Sequence, residues 1–330
     1  MNRPIVFLTN PIDPQAAAEL ARHAEVRTAI AVDAGTLRRE ARDADYLVVR
    51  AALPEDLFEH TPRLRAAVRH GAGLDMIPLP QAGRHGIAVA NVPGVNAVTV
   101  AEYAVAQMLN LARRLPRIDA QLRQQSWGAA RQHADDASDL GGKTLAIVGM
   151  GHIGQALARI CAHGFGMRVL GVRRSPAADG DTVRYVTLQQ ALPQADYLVL
   201  ACPLTEETRG LVGAAELARL KPGARLVNVA RGPVVDEAAL VEALRSGRLA
   251  GAALDVFATQ PLPADSPLRA LPGVLLSPHL AGITQESMQR MSEGVLAQLL
   301  AMFEGRLPQH LCNPEAREAI LARWATLASR

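Results

Sequence analysis

The chain of 330 residues has few cysteines and lacks a recognisable export signal. Its three cysteines, Cys161, Cys202 and Cys312, lie far apart without the spacing of metal ligands, and an odd number argues against a disulfide framework. Residues 1–10 lack the charged, long apolar and small-residue order of a signal peptide. We therefore expect reduced thiols, no metal site and a cytoplasmic location.

The sequence also lacks a charge excess that would define a macromolecular partner. It has 35 lysines and arginines against 32 aspartates and glutamates, a net charge of +3, and no basic block. This balance indicates neither a nucleic-acid partner nor a membrane partner. A length of 330 residues suggests about two globular domains, and 49% hydrophobic residues suffice to bury their cores. We expect the partner to be a small molecule.

Short β-rich runs alternate with alanine- and leucine-rich helical stretches, and the alternation occurs twice. The first series starts at residue 5, and the second starts with the strand at 145–148. Between them, residues 98–114 carry apolar side chains all round at helical spacing, which predicts a long buried helix. The alternation predicts an α/β fold with two doubly wound parallel sheets.

A glycine-rich turn marks the start of the second series. Gly149, Gly151 and Gly154 follow the apolar strand at 145–148 and precede an alanine-rich helical stretch. Small residues in a Gly-x-Gly-x-x-Gly turn let backbone amides approach a pyrophosphate at the helix N-terminus. This context predicts a dinucleotide site, whereas an ordinary strand-to-helix turn is the simpler alternative.

The residues that close the next strand indicate which dinucleotide is bound. NAD sites normally have an acidic residue about 20 positions after the glycines, but here the strand at 168–172 ends with Arg173, Arg174 and Ser175. Two guanidinium groups and a hydroxyl suit a 2′-phosphate, although a solvated basic loop would have the same composition. NADP(H) is therefore favoured, and NAD(H) stays possible.

Three polar residues stand where apolar strands of the second series end: Arg231, Asp255 and His279. Ligands of open α/β sheets bind outside the carboxyl ends of strands. Arg231 can hold a carboxylate and a carbonyl oxygen, and His279 can act as general acid and base. A structural histidine fits the pattern of His279 equally well. Asp255 fits a helix cap as well as a contact to the nicotinamide carboxamide.

The motifs of the chain, in their order and spacing, resemble those of the D-isomer-specific 2-hydroxyacid dehydrogenases along nearly the whole length. The matching segments are His70-Gly71-Ala72-Gly73-Leu74-Asp75, Asn91-Val92-Pro93-Gly94-Val95-Asn96, Val100-Ala101-Glu102, Gly142-Lys143-Thr144-Leu145, Pro203-Leu204-Thr205 with Thr208, Asn228-Val229-Ala230-Arg231-Gly232, Leu254-Asp255-Val256-Phe257 and Ser277-Pro278-His279.

The resemblance implies a Rossmann coenzyme domain, residues 99–285, inserted into a flavodoxin-like catalytic domain, residues 1–98 and 286–330. It implies an active cleft between the domains and a homodimer joined through the coenzyme domains. Backbone amides at Ala72 and Gly73 would bind the substrate carboxylate, Arg231 would hold carboxylate and carbonyl oxygen, and His279 would donate the proton. The implied coenzyme contacts are Val100, Gly149, Gly151, His152, Ile153, Gly154, Arg173, Arg174, Ser175, Cys202, Pro203, Thr208, Val229, Ala230, Arg231, Asp255, His279 and Gly282.

One position departs from the pattern of the family. Its catalytic glutamate, in Asp-Val-Phe-x-x-Glu-Pro, is replaced here by Gln260. A neutral amide can orient the imidazole of His279 but stabilises its positive charge less than a carboxylate does. Formate dehydrogenases of the family also pair glutamine with histidine, so Gln260 remains a catalytic candidate.

Three functions are compatible with these residues. The first is NADPH-dependent reduction of glyoxylate or hydroxypyruvate, which rests on the resemblance of residues 173–175 to reductases of those acids. The second is a formate- or phosphite-dehydrogenase-like activity, suggested by Gln260. The third is a catalytically weak, coenzyme-sensing binding protein. Substrate specificity could involve Arg50, Leu74, Met76 or Trp127, a choice that the sequence leaves open.

Overall fold

The computed structural model describes residues 3–175 and 178–329, and the chain divides into two compact units. The first unit comprises Met1–Asn96 with Ile283–Arg330, and the second comprises Ala97–Gly282. The boundaries predicted from the sequence, after residues 98 and 285, lie slightly further along the chain.

The first unit contains a parallel sheet in which, among the described residues, five strands pair in the order β2-β1-β3-β4-β5. This strand order is that of flavodoxin-like folds, which the family resemblance implied. Successive residues of β1 face opposite sides, with Val6 and Leu8 in one apolar cluster and Phe7 in the other, so helices cover both faces. The elements are β1 (Ile5–Leu8), α1 (Pro14–His23), β2 (Glu25–Thr28), α2 (Ala34–Glu40), β3 (Tyr46–Val49), β4 (Ala66–Arg69), α3 (Leu79–Arg84) and β5 (Ala88–Ala90).

The second unit begins with three helices and continues with a seven-stranded parallel sheet, counted over the described residues. The strand order is β12-β11-β10-β9-β6-β7-β8, a Rossmann order extended by one strand, which confirms the predicted fold class. The elements are α4 (Ala97–Arg113), α5 (Leu115–Gln124), α6 (Trp127–Arg131), β6 (Thr144–Val148), α7 (His152–Arg159), β7 (Arg168–Val172), β8 (Arg184–Tyr185), α8 (Leu188–Ala191), β9 (Tyr197–Leu200), α9 (Ala214–Arg219), β10 (Ala224–Asn228), α10 (Glu237–Arg245), β11 (Leu249–Leu254) and β12 (Val274–Leu276).

The chain then returns to the first unit through two helices, α11 (Gln285–Phe303) and α12 (Arg317–Ala328). The side chain of Thr284 caps α11 by accepting a hydrogen bond from the amide of Ser287. Val295 and Leu299 of α11 are fully buried against the sheet of the first unit. The first unit is therefore built from both ends of the chain.

The prediction of burial all round α4 is wrong on one side of the helix. Its buried residues, such as Ala104 and Met108, pack in the core of the second unit. Val98, however, is 50% exposed, and Glu102 and Ala106, on the same face, are also exposed. Alanine is the strongest helix former and is small, so an alanine on a helix face does not require that face to be buried.

Candidate active site

Three neighbouring strands of the second unit end in register at one edge of its sheet. Asn228 of β10 pairs with Leu254 of β11, and Leu254 pairs with Leu276 of β12. Arg231, Asp255 and His279 follow these paired residues. Arg231 and His279 are therefore carried by strands two positions apart in the sheet, a spacing of about 10 Å. The tertiary structure brings all three sequence-predicted polar residues to the same carboxyl edge.

Asp255 is a buried carboxylate that holds the turn containing His279. Its side chain is 2% exposed and accepts three hydrogen bonds, from Ser277 Oγ at 2.7 Å and from the amides of Leu280 and Ala281 at 2.8 Å. The amide of His279 also donates to the backbone oxygen of Asp255 at 2.9 Å. Burial of a carboxylate without such donors would be strongly unfavourable. These hydrogen bonds therefore explain why the side chain of Asp255 can be buried. The helix-cap interpretation of Asp255 is wrong.

His279 has a left-handed backbone conformation, with φ at 55°. A non-glycine residue in this region is strained by about 1 to 2 kcal/mol and is held there by its surroundings. Its Nδ1 atom lies 3.4 Å from Oε1 of Gln260. Because an amide oxygen can only accept, Nδ1 is the protonated nitrogen of this contact. The structure thus pairs the histidine with the residue that replaces the glutamate of the family.

A cavity of about 570 Å³ opens beside this pair within the second unit. Its volume lies in the range of small-molecule sites. Most of the lining is apolar, and the polar groups come from a few side chains. The lining residues are Phe257, Gln260, Pro261, Leu262, Arg269, Leu276, Ser277, Pro278 and His279.

Arg231 stands on a turn whose shape is set by Asn228. The Asn228 side chain accepts a hydrogen bond from the amide of Ala230 at 3.0 Å and donates one to the backbone oxygen of Arg231 at 3.0 Å. Nη1 of Arg231 donates to the backbone oxygen of Ala230 at 2.7 Å. The guanidinium is half-buried. Hydrogen bonds from Asn228 and from Arg231 itself therefore fix the turn. An arginine that is already fixed can bind a planar anion with little loss of side-chain entropy.

The glycine turn between β6 and α7 has the close packing that a dinucleotide site requires. A Cβ atom on Gly149, whose φ is 100°, would lie 2.5 Å from the amide nitrogen of Cys202, and one on Gly154 would lie 2.1 Å from the backbone oxygen of Gly149. In contrast, a Cβ on Gly151 would meet no atom within 4 Å. The outer glycines serve the packing of the turn and the middle one faces open space, which fits a turn that a pyrophosphate approaches.

Arg173, Arg174 and Ser175 lie at the carboxyl end of β7, next to this turn, and all three are exposed. The turn and the strand end are joined by a hydrogen bond from the amide of Gly149 to the backbone oxygen of Val172, at 2.9 Å. The guanidinium carbon of Arg173 lies 6.0 Å from the ring centre of Tyr185, at the outer limit of a cation–π contact. Two arginines therefore follow the strand end that is hydrogen-bonded to the glycine turn.

The other predicted coenzyme residues have different positions in the second unit. His152 and Ile153 form the first turn of α7, and Cys202 adjoins Gly149. Thr208 Oγ1 donates to the backbone oxygen of Pro203 at 2.7 Å. Val100, Val229 and Ala230 are buried, at 4%, 8% and 4% exposure, and Gly282 is the last residue of the unit.

In the first unit, Ala72 and Gly73 lie in the loop after β4, and side chains hold their backbone oxygens. Asn91 Nδ2 donates to the oxygen of Ala72 at 2.8 Å, and Arg69 Nε donates to that of Gly73 at 3.1 Å. Among the described residues, the amides of Ala72 and Gly73 have no hydrogen-bond acceptor. Two unsatisfied donors on a fixed loop suit an anionic ligand.

His70, directly before this loop, is a buried neutral group. It is 3% exposed, and its Nε2 atom lies 2.9 Å from Ser292 Oγ of α11. Burial, together with the charges of Arg50 and Arg69, lowers the pKa of His70 to about 3. The imidazole is therefore uncharged at neutral pH, and it ties the loop to the returning helix.

Sequence reasoning did not identify Arg69 or Ser277 as functional residues. Both could have been found from their positions, since Arg69 ends β4 and Ser277 directly follows β12. Within residues 3–175 and 178–329, no group of three or more histidine, cysteine, aspartate or glutamate side chains could hold a metal ion. Over the same residues, none of the helices combines the length and the apolar character of a membrane span.

Comparison with known proteins supports the motif evidence. The model of the D-isomer specific 2-hydroxyacid dehydrogenase NAD-binding domain matches residues 105–281. A glyoxylate reductase of Korarchaeum cryptofilum is 38% identical over 322 residues, which cover 95% of this chain and 97% of that protein. The chain belongs to the D-isomer specific 2-hydroxyacid dehydrogenase family.

Solved structures agree with this assignment. The NADPH-dependent glyoxylate/hydroxypyruvate reductase of Sinorhizobium meliloti, in complex with NADP and malonate, matches with a TM-score of 0.83 and 33% identity over 94% of this chain and 97% of that one. The NAD-dependent formate dehydrogenase of Staphylococcus aureus, in complex with NAD, matches with a TM-score of 0.83 and 31% identity over 93% and 97%. The protein is an NAD(P)-dependent 2-hydroxyacid dehydrogenase, an oxidoreductase that acts on small hydroxy or oxo acids with a nicotinamide coenzyme.

Proposed function

We propose that this enzyme reduces a small 2-oxo acid, glyoxylate or hydroxypyruvate, with NADPH as its preferred coenzyme. The observation that carries the proposal is the convergence of Arg231, Asp255 and the His279–Gln260 pair at one sheet edge. The same edge carries the glycine turn and Arg173 and Arg174. A cation, a proton donor and a coenzyme site are the groups that this reduction requires.

Arg231 is the residue proposed to bind the reacting part of the substrate. The nicotinamide supplies a hydride to C2 when it is bound, and negative charge then develops on the C2 oxygen. A guanidinium that is already fixed by its turn stabilises this charge without reorganising. It can hold a carboxylate oxygen of the substrate at the same time, because its five donors form a planar fork.

His279 is the proposed proton donor. It protonates the C2 oxygen as the hydride arrives, so that the 2-oxo acid gains one hydride and one proton and becomes the 2-hydroxy acid. Gln260 accepts from Nδ1 and so keeps Nε2 as the nitrogen that carries the transferable proton. In the oxidative direction the neutral imidazole accepts the same proton.

The loop of the first unit is proposed to hold the substrate carboxylate. The free amides of Ala72 and Gly73 are suitable donors, and Arg69 and Asn91 fix the loop by binding its carbonyl oxygens. This contact lies on the first unit, whereas Arg231 and His279 lie on the second. Assignment of residues 1–98 and 286–330 to substrate binding and of 99–285 to coenzyme binding is part of the proposal.

The preference for NADPH rests on Arg173, Arg174 and Ser175. They stand where NAD enzymes of this fold place an acidic residue for the ribose 2′-hydroxyl. The similarity of this chain to the NADPH-dependent reductase of Sinorhizobium meliloti, which was solved with NADP, supports this preference. The other coenzyme contacts that the resemblance implies, of which Val100 is the first and Gly282 the last in the sequence, belong to the same proposal.

A formate-dehydrogenase-like reaction is the second candidate, because Gln260 contacts His279 in this structure and an NAD-dependent formate dehydrogenase is among the relatives. The arginine pair at β7 favours the first candidate, since that relative was solved with NAD. One experiment separates them. The purified protein is assayed with NADPH and with NADH against glyoxylate, hydroxypyruvate and pyruvate, and with NADP⁺ and NAD⁺ against formate and phosphite. The highest kcat/KM with formate or phosphite would overturn the proposal.

A cytoplasmic location and a homodimer also belong to the proposal. The helices α5 and α6 support the dimer, because α5 has no buried residues and Leu115, Leu122 and Trp127 are 49%, 46% and 71% exposed. Exposed apolar side chains on neighbouring helices are a common feature of interfaces. Light scattering after size-exclusion chromatography would contradict the dimer by returning a mass near 35.1 kDa.

A further inference from the structure

Tyr103, on α4, contacts the turn that carries His279, although 174 residues separate it from Ser277 in the sequence. Its hydroxyl forms a hydrogen bond with Ser277 Oγ. Ser277 Oγ in turn lies 2.7 Å from Oδ1 of Asp255. The three side chains therefore form one hydrogen-bonded chain within the second unit, from the middle of α4 to the carboxyl edge of the sheet.

The direction of these hydrogen bonds follows from the chemistry of the three groups. An ionised carboxylate only accepts, so Ser277 donates its single hydrogen to Asp255. The bond between Tyr103 and Ser277 must then use the hydrogen of the tyrosine. Burial raises the pKa of Tyr103, with a further contribution from the charge of Asp255, so the tyrosine stays a donor across the working range of the enzyme.

Asp255 connects this chain to the backbone on both sides of His279. Its carboxylate binds the amides of Leu280 and Ala281, and its backbone oxygen binds the amide of His279. The hydroxyl of Ser277 also donates to the carboxylate. The left-handed conformation of His279 persists because these bonds determine the turn from both ends.

We propose that Tyr103 is a positioning residue for the proton donor: its hydroxyl orients Ser277 and Asp255, and through them the imidazole of His279. Tyr103 does not touch the reacting atoms in this proposal. The inference rests on the proposed role of His279 and deepens it by naming the residue on α4 that completes the support of the turn.

Replacement of Tyr103 by phenylalanine removes one hydroxyl and leaves the ring in place. The hydroxyl of Ser277 then loses the hydrogen bond that it accepts from Tyr103, and the turn that carries His279 loses one of the hydrogen bonds that support it. The loss of a hydrogen bond of this kind corresponds to about a three- to tenfold effect. We expect kcat to fall by about this factor, with KM for the oxo acid unchanged. The primary isotope effect on kcat with 4-deuterated NADPH should increase, because the chemical step becomes slower relative to product release.

Tyr197→Phe is the matched control. Tyr197 is a fully buried tyrosine of the same unit, its hydroxyl accepts from Arg225 at 3.4 Å, and it lies at the opposite, amino end of the strands. Both variants lose a hydroxyl of a packed tyrosine. If Tyr103 is only structural, the two variants will change Tm alike and leave kcat and the isotope effect unchanged, which overturns the inference.

Ser277→Ala provides a second route to the same conclusion. If Tyr103→Phe does not fold, Ser277→Ala alone should lower kcat with KM for the oxo acid unchanged, and an unchanged kcat in this variant overturns the inference. Because the two residues act through one chain, the effects of Tyr103→Phe and Ser277→Ala on kcat should be strongly non-additive, and additive effects overturn the inference. His279→Ala tests the underlying proposal separately. If His279→Ala keeps its activity, the proposed function fails; if it loses activity while Tyr103→Phe behaves like Tyr197→Phe, only this inference fails.

Discussion

Nδ1 of His279 and Oε1 of Gln260 lie 3.4 Å apart, where a relative with the usual glutamate would have a carboxylate facing the imidazole. The contact is long for a hydrogen bond, and the amide carries no charge. It can orient the ring and select its tautomer, but it adds little to the stability of the imidazolium. The consequences for proton transfer can be measured.

Gln260→Glu should extend reduction to higher pH. A carboxylate beside the imidazole favours the charged form and raises the pKa of His279. His279 then stays protonated to higher pH, so the alkaline limb of the kcat/KM profile for reduction should move to higher pH. Gln124→Glu, at the exposed end of α5, makes the same charge change away from the site and is the control. An alkaline limb at the same pH in wild type and Gln260→Glu would exclude the pairing.

Arg173→Ala should weaken binding of NADPH by about 1 to 3 kcal/mol, the scale of a lost hydrogen bond to a charged group. Binding of NADH should change little, because it lacks the 2′-phosphate. Both affinities are measured by titration of the coenzyme fluorescence. Arg245→Ala removes an exposed arginine at the end of α10 and serves as the control. Equal losses for the two coenzymes would contradict a role in phosphate binding.

Gly151→Ala and Gly154→Ala should separate coenzyme binding from folding. The new methyl group at position 151 meets no protein atom, so Tm should be unchanged, but it stands where the pyrophosphate approaches and should weaken NADPH and NADH alike. At position 154 the methyl group would lie 2.1 Å from a backbone oxygen, so Tm should fall. Normal coenzyme affinity in Gly151→Ala would place the pyrophosphate elsewhere.

The buried His70 should make the protein sensitive to acid. Its pKa rises from about 3 in the folded state to its ordinary value of 6.5 on unfolding, so the unfolded chain binds the proton more readily. The stability contributed by the neutral imidazole is present above pH 6.5 and is lost as the pH falls towards 3. At pH 5 the loss amounts to about 2 kcal/mol.

His70→Gln should remove this dependence, because glutamine keeps a polar group near Ser292 and does not titrate. The decrease of Tm between pH 7 and pH 5 should be smaller in this variant than in wild type. His310→Gln, at an exposed position of the same unit, is expected to behave as wild type. The interpretation fails if wild type and His70→Gln lose the same number of degrees.

Much of the architecture could be predicted from local patterns. The alternation of strands and helices predicted two parallel sheets, and the helix predicted at 98–114 is α4. The positions of Arg231, Asp255 and His279 after apolar strands predicted a common edge, because parallel strands end on the same side. The prediction of burial all round α4 was wrong because an apolar composition cannot distinguish a buried alanine from an exposed one.

The sequence by itself determined the fold class, the glycine turn, the arginine pair after β7 and the identity of Gln260, since each follows from residues that are neighbours in the chain or in one periodic pattern. Only the tertiary structure decided the left-handed conformation of His279, the neutrality of His70 and the bond between Tyr103 and Ser277. These properties depend on groups far apart in sequence, which become neighbours once both sheets have formed. Burial then sets their hydrogen bonds and charges.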